Sequence, residues 1–271
     1  MYLEFGPKVL VMGILNVTPD SFSDGGRFFA DNTIAAQVDT MVKAGADIID
    51  VGGESTRPFA EPVSIAEELD RVLPAIRLIR QRSAVPISID TTKAEVARRA
   101  LAEGADIIND ISALRFDRDM AALVRKTEVP VIIMHMQGTP VDMQVAPHYD
   151  DVVAEIKAFF KERLAWADKN GIAGKRFILD PGIGFGKTVE HNLTILNRLA
   201  EFSELGCPVM IGHSRKSFIG KLLGLEVDAR DVATAAISAL CVLKGASILR
   251  VHDVEKTVQA VRLAEAIGGV N

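Results

Sequence analysis

The stretch AGADIID, residues 44–50, sets the reading of the whole chain because it returns twice, as EGADIIN (103–109) and KGASILR (244–250). In each copy a helical pattern stops at a glycine, Gly45, Gly104 or Gly245, the residue that most readily takes the left-handed turn closing a helix. A run of Ile and Leu follows, as expected of a strand buried on both faces. Five residues after each glycine stands a polar residue, Asp50, Asn109 or Arg250. The equal offset puts these three side chains at equivalent places on their strands. A repeated helix-to-strand junction implies βα architecture.

Working outward, eight apolar strand candidates appear, at 8–16, 47–53, 86–90, 106–110, 129–135, 176–180, 208–212 and 247–251. Amphipathic helical stretches separate them, among them IAEELDRVLPAIRLIRQ (65–81) and DDVVAEIKAFFKERLAWADKN (150–170). Pro74 lies inside the first of these and predicts a kink or the true start of that helix. Eight such units over residues 1–271 read as a single-domain α/β fold, the (β/α)8 TIM barrel. The alternative is an open doubly wound sheet, which more often opens with a glycine-rich dinucleotide turn; none follows the first strand.

The bulk properties narrow the function. A net charge of −5 argues against broad nucleic-acid binding, which relies on basic surface, while leaving room for a local cationic pocket. Cys207 and Cys241 have no metal-ligand spacing and form no disulfide framework. The opening MYLEFGPKVL lacks the pattern of a signal peptide, and no apolar run approaches the roughly 20 residues of a membrane span. A cytoplasmic protein with small-molecule partners is the expectation.

Active sites of this barrel gather at the C-terminal strand ends. Those ends carry Asn16, Glu54, Asp90, Asn109, His135, Asp180, Ser214 and Arg250 with His252. Any one of them reads equally well as a turn residue, and Asp90 in particular could cap the helix after ISIDTTK. Together they make a site of carboxylates, amides and cations, suited to a heterocycle with an anionic tail. Asp90, Asn109 and Asp180 can read the donor face of an aminopyrimidine, as such side chains do with bases. Arg250 and His252 alternate on the last strand and so share a side. Ser214, Arg215 and Lys216 stand at a predicted helix start, where anions are favoured; Lys216 could instead serve as a Schiff-base lysine.

Two loops and one near-motif complete the picture. NVTPDSFSDGGRFF (16–29) carries Phe22, Phe28 and Phe29, either as a lid or folded on the rim. GGESTRPFAEP (52–62) offers Ser55, Thr56 and Arg57 to an oxyanion. LDPGIGFGKT (179–188) ends like a phosphate-binding loop, yet the required leading glycine is Pro181. Its glycines 182, 184 and 186 read instead as a close-packed wall against a flat ligand, with Phe185 stacking and Lys187 and Thr188 starting the next helix.

The motifs MGILNVTPDSFSDGG (12–26), GGESTRP (52–58), ISIDTTK (87–93), IINDI (107–111), MHMQG (134–138), LDPGIGFGK (179–187), SRKSF (214–218) and RVHD (250–253) resemble, in order and over essentially the whole chain, those of the dihydropteroate synthases. The resemblance implies condensation of hydroxymethyl-dihydropterin pyrophosphate with p-aminobenzoate in folate synthesis. It implies that Asp90, Asn109, Asp180 and Lys216 bind the pterin, with Met134 and Phe185 lining its pocket. Asn16 then contacts Mg²⁺, and Arg250 and His252 form the pyrophosphate site with it. Thr56, Arg57, Ser214 and Phe22 match the residues holding p-aminobenzoate, and a homodimer is expected. A pterin-binding methyltransferase shares the Asp, Asn, Asp floor but would not need SFSDGG, STRP and SRK together. One departure stands out: after STRP the family continues with glycine, whereas Phe59 follows Pro58 here.

Overall fold

The computed structural model describes residues 8–17, 26–55, 61–138, 143 and 146–269. Its strands are β1 (Leu10–Asn16), β2 (Ile48–Gly52), β3 (Ile87–Asp90), β4 (Ile107–Asp110), β5 (Val131–Met134), β6 (Phe177–Asp180), β7 (Met210–Ile211) and β8 (Ile248–Val251). Between them run α1 (Gly26–Ala44), α2 (Ile65–Arg82), α3 (Ala94–Ala102), α4 (Met120–Thr127), α5 (Val152–Lys169), α6 (Val189–Asn197), α7 (Ser217–Leu223) and α8 (Asp231–Leu243), with α9 (Val254–Gly268) last. The junction glycines Gly45, Gly104 and Gly245 all take positive φ, at 94°, 107° and 88°, closing α1, α3 and α8 as the sequence requires.

All strand pairs are parallel, in the order β6-β5-β4-β3-β2-β1-β8-β7. The two ends of that series meet: Leu179 bridges Val209, and its N–H donates to the Pro208 carbonyl at 2.9 Å. The sheet is therefore a closed barrel, which excludes the open doubly wound alternative. The eight strands fall within the eight sequence segments. β7 is the shortest because Pro208, lacking an N–H, can accept from β6 but cannot donate.

Pro74 does not mark the start of its helix. Nor does a break occur there: α2 begins at Ile65 and runs past it to Arg82. Ser64 and Glu67 form a reciprocal capping box that satisfies the first N–H groups and sets the start. The apolar stripe Val72, Leu73, Ala75, Ile76 and Ile79, all buried against the barrel, offsets the hydrogen bond Pro74 removes.

The core has two compartments. Outward-facing strand residues pack against the helices in one large cluster. Inside the barrel, Met12, Ile48, Ile107, Ile132, Ile178, Met210 and Ile248 form a separate apolar plug, each at most 1% exposed. No described helix is long and apolar enough to cross a membrane.

Candidate active site

Strand alternation decides what lies above the plug. Side chains two positions apart face the same side, so above Ile48, Ile107, Ile132, Ile178 and Ile248 come Asp50, Asn109, Met134, Asp180 and Arg250. Four of these five inward positions thus switch from apolar to polar in one step, on the C-terminal side of the barrel, while Met134 stays apolar. Gly212 is the corresponding position after β7; a side chain there would lie 3.7 Å from the Asp180 carboxylate, so its absence leaves the cup open.

Arg250 sits at the centre. Its Nε donates to Asp50 at 2.6 Å and its Nη2 to Asp90 at 2.6 Å. The Asn109 amide nitrogen reaches the same Asp50 carboxylate at 3.3 Å and 3.4 Å. The three residues picked out by their common offset from a junction glycine therefore meet at the Asp50 carboxylate. Burial works against the Arg250 charge, but Asp50 and Asp90 outweigh it and hold the guanidinium above its ordinary range. Burial raises the Asp90 carboxyl; Arg250 pulls it back, while Asp50, Glu68 and Asp110 push further up.

Across the cup, Asp180 is buried and its Oδ1 accepts from the Gly182 N–H at 2.8 Å. Burial raises this carboxyl too, against the pull of Gly182, Lys216, Arg250 and Lys187. The Lys216 ammonium lies 4.1 Å from the centre of the Phe185 ring, a cation–π contact. Burial and the nearby Arg250 bring Lys216 down to about 8, against Asp180 and Asp90. Phe185 and Met134 belong to a small apolar cluster with Ile111, Met136 and Met143, one wall of the cup.

At the rim, the His252 N–H donates to Ser214 Oγ at 3.1 Å, and that hydroxyl lies 2.9 Å from His252 Nδ1. The hydroxyl keeps its own proton for Nδ1, and in that arrangement the proton of the neutral ring stands on Nε2. Burial, with Arg215, Arg250 and Lys216, pushes His252 down to about 3, so the imidazole is an uncharged donor at neutral pH.

The glycine-rich wall is fastened from behind. Lys187 is buried, and its Nζ donates to the carbonyls of Phe185 (2.9 Å) and His135 (3.3 Å) and lies 3.1 Å from His135 Nδ1. This corrects its expected place as a helix-start residue; Thr188 alone caps α6, bonding His191. His135, edge-on to Phe159, is thus part of the wall. Asp110 folds the loop after β4, its carboxylate accepting from Ser112 N (2.7 Å) and Leu114 N (3.0 Å).

Other expectations need amendment. Glu54 turns to Lys93 (2.8 Å), which also binds the fully buried Glu68 at 2.5 Å. Asp90 caps no helix; Lys93 occupies that position at α3 without a side-chain bond. Arg215, with φ at 57°, leaves the anion-binding trio and grips Asp231 at 2.7 Å and 2.8 Å. Asn16 ends β1, exposed, and a side chain on Gly52 would be 3.8 Å from both Asn16 Oδ1 and Asp90 Oδ2, so these oxygens flank one gap. Phe22, Thr56, Arg57 and Phe59 lie outside the described residues, as do the side chains of Phe28 and Phe29. Sequence reasoning passed over the supports Asp110, Lys187, Lys93 and Glu68; the only local signal was Lys93 and Lys187 closing two of the motifs.

Residues 12–252 match the family model described as pterin binding enzyme. A dihydropteroate synthase from Escherichia coli is 50% identical over 256 residues, spanning 94% of this chain and 90% of the relative. A structure of the Yersinia pestis dihydropteroate synthase in a sulfonamide drug complex superposes with a TM-score of 0.93 at 43% identity, covering 99% of this chain and 97% of that one. The Xanthomonas albilineans dihydropteroate synthase, solved with 4-aminobenzoic acid, gives a TM-score of 0.91 at 46% identity, covering 97% and 94%. A closed parallel barrel, a polar cup over an apolar plug and likeness along nearly the whole chain agree: this chain belongs to the dihydropteroate synthase family of pterin-binding enzymes, and is a transferase.

Proposed function

We propose that this enzyme joins hydroxymethyl-dihydropterin pyrophosphate to p-aminobenzoate, forming dihydropteroate and pyrophosphate for folate synthesis, with the pyrophosphate leaving first. The observation that carries the reading is the meeting of Asp50, Asn109, Asp90 and Arg250 in one hydrogen-bonded group at the strand ends. Asp180, Asn109 and Asp90 accept from the pterin's N–H groups, Lys216 donates to its acceptors, and Met134 and Phe185 enclose the ring. Arg250, through the Nη1 that has no partner among the described residues, and His252, through Nε2–H, receive the diphosphate. The bond between the pterin methylene carbon and the bridging oxygen breaks with its electron pair on pyrophosphate. The cation left on the methylene is spread over the ring and faces the Asp90 carboxylate. The arylamine lone pair then forms the C–N bond, and its proton passes to water, so no activating base is needed beforehand.

The second substrate is assigned to Ser214 with Thr56, Arg57 and Phe22. For the metal, the described residues hold no group of three His, Cys, Asp or Glu side chains able to ligate an ion. A single amide oxygen, from Asn16, suits Mg²⁺, which keeps waters and takes substrate phosphate oxygens. Bound there, Mg²⁺ would neutralise charge on the departing diphosphate.

Apolar side chains stand exposed on α7 (Leu222, Leu223), α8 (Val232, Leu240, Leu243) and α9 (Leu263, Ile267), a surface we assign to a homodimer of a cytosolic enzyme. Leu240→Glu should halve the mass measured by light scattering; an unchanged mass removes this interface. The synthase reading is tested by following pyrophosphate and dihydropteroate together. One pyrophosphate per dihydropteroate, with no sustained release when p-aminobenzoate is withheld, is the expected result. Tight pterin binding without release would make the chain a binding module instead. Asp90→Asn should slow C–O cleavage far more than Arg57→Ala changes pterin affinity.

A further inference from the structure

Asp50 is fully buried, one level below the groups assigned to the pterin, and carries two bonds at once. Its carboxylate accepts from Arg250 Nε at 2.6 Å and from the Asn109 amide nitrogen at 3.3 Å and 3.4 Å. A carboxylate paired with a guanidinium offers acceptors only. An asparagine amide, by contrast, can turn over and exchange its donor and acceptor ends with almost no change of shape. With Asp50 beneath it, only one of those two orientations of Asn109 avoids setting oxygen against oxygen.

We infer that Asp50 is a positioning and specificity-determining residue: anchored by Arg250, it holds the nitrogen of Asn109 down and its carbonyl oxygen toward the cup, so that Asn109 reads donors on the pterin edge. This rests on the pterin reading of the cup given above. Arg250 is what keeps Asp50 tolerable in the barrel interior, since a buried carboxylate needs a partner. The strand order brings the three together. Asp50 is in register with Ser88 on β3 and Asn109 with Asp90, so Asn109 stands one step higher and two strands away, and the Asp50 side chain reaches it from below.

Asp50→Asn puts the idea at risk. An amide in place of the carboxylate offers one oxygen and one NH₂ to two donors, and the stronger, charged donor Arg250 takes the oxygen. Its NH₂ then faces Asn109, which must turn over and present a donor to the pterin. The probes are 6-hydroxymethylpterin and 6-hydroxymethyllumazine, in which a carbonyl replaces the pterin's exocyclic amine, titrated by calorimetry. Wild type should prefer the pterin. Asp50→Asn should lose about tenfold of that preference, the worth of one buried polar mismatch. The KM for pterin pyrophosphate should rise while that for p-aminobenzoate stays unchanged. Asp50→Asn/Asn109→Asp should recover the preference, because the new amide can then donate to a carboxylate at position 109 that presents an acceptor in either orientation. Asn109→Asp alone should bind poorly, with two carboxylates facing each other.

An Asp50→Asn protein with wild-type preference, or a double variant that folds without regaining it, overturns the inference. Should Asp50→Asn fail to melt cooperatively, the double variant still decides, since it keeps the charge and the donors of the original trio. A wild-type protein that binds neither probe would instead refute the pterin reading itself.

Discussion

Gly182→Ala should injure the wall of the cup out of proportion to the one methyl it adds. Gly182 has φ of 73°, and a Cβ there would lie 2.0 Å from the His135 carbonyl oxygen. Atoms under 3.0 Å must part, so the loop after β6 has to withdraw from the loop after β5 by about 1 Å. Left-handed φ in a residue with a Cβ costs roughly 1–2 kcal/mol, and forcing an extra carbon into packed structure roughly 1–3 kcal/mol more. Gly206 supplies the control: its φ is 67°, yet a Cβ there meets nothing within 4 Å. Gly206→Ala should therefore lose only the conformational part, roughly 2–8 °C in Tm, and Gly182→Ala roughly 4–20 °C, at about 2–4 °C per kcal/mol for a chain of this size. Function should separate the two further. Gly182 N–H holds Asp180, and Phe185 three residues on lies under Lys216, so a 1 Å shift moves groups on which catalysis depends by about 100-fold. Thermal melts and steady-state kinetics on both variants make the comparison. Equal Tm losses, or a Gly182→Ala enzyme with wild-type turnover, would refute the reasoning.

Three further outcomes follow from the buried ionisable groups. Burial brings Lys187 to about 7 against an ordinary 10.5, so the unfolded chain holds the extra proton between these values and stability rises with pH across that window. Lys187→Met should flatten the rise of Tm between pH 7 and 10, leaving the smaller share of Lys216; an unchanged slope contradicts the burial. His252, at about 3 instead of 6.5, refuses a proton that the unfolded chain accepts, so its share of stability is whole above pH 6.5 and is lost toward pH 3. His252→Gln should reduce the acid slope by up to about 1.4 kcal/mol per pH unit in denaturant titrations. Lys93→Met strands the fully buried Glu68 carboxylate and should cost about 3–5 kcal/mol, measured by urea unfolding; a loss under 1 kcal/mol would mean Glu68 has another partner.

Much of the site was legible because two periodicities carry it. The glycine junctions mark where helices end, and counting forward by strand alternation delivers Asp50, Asn109 and Arg250 to the inward face near the C-terminal strand ends. They meet there although Arg250 and Asp50 lie 200 residues apart. What counting could not give is direction beyond the strands. Arg215 and Lys216 are neighbours in sequence, yet the φ of 57° at Arg215 sends one to Asp231 and leaves the other over Phe185. Lys187 looked like the start of a solvated helix, and only the fold of the glycine loop reveals two carbonyls and His135 waiting for its ammonium.

By itself the sequence determined the succession of eight βα units and the polar residues at their strand ends, since hydrophobic periodicity and helix-ending glycines are local properties of the chain, while closure of the sheet rests on the contact of Leu179 with Val209. The tertiary structure alone decided which charge answers which. Arg250 is shared between Asp50 and Asp90, Glu54 and Glu68 are both held by Lys93, and α2 passes Pro74 because its far face is buried. Such pairings depend on distances across the barrel, where burial makes each unmet charge costly enough to select its partner, and no local pattern records them.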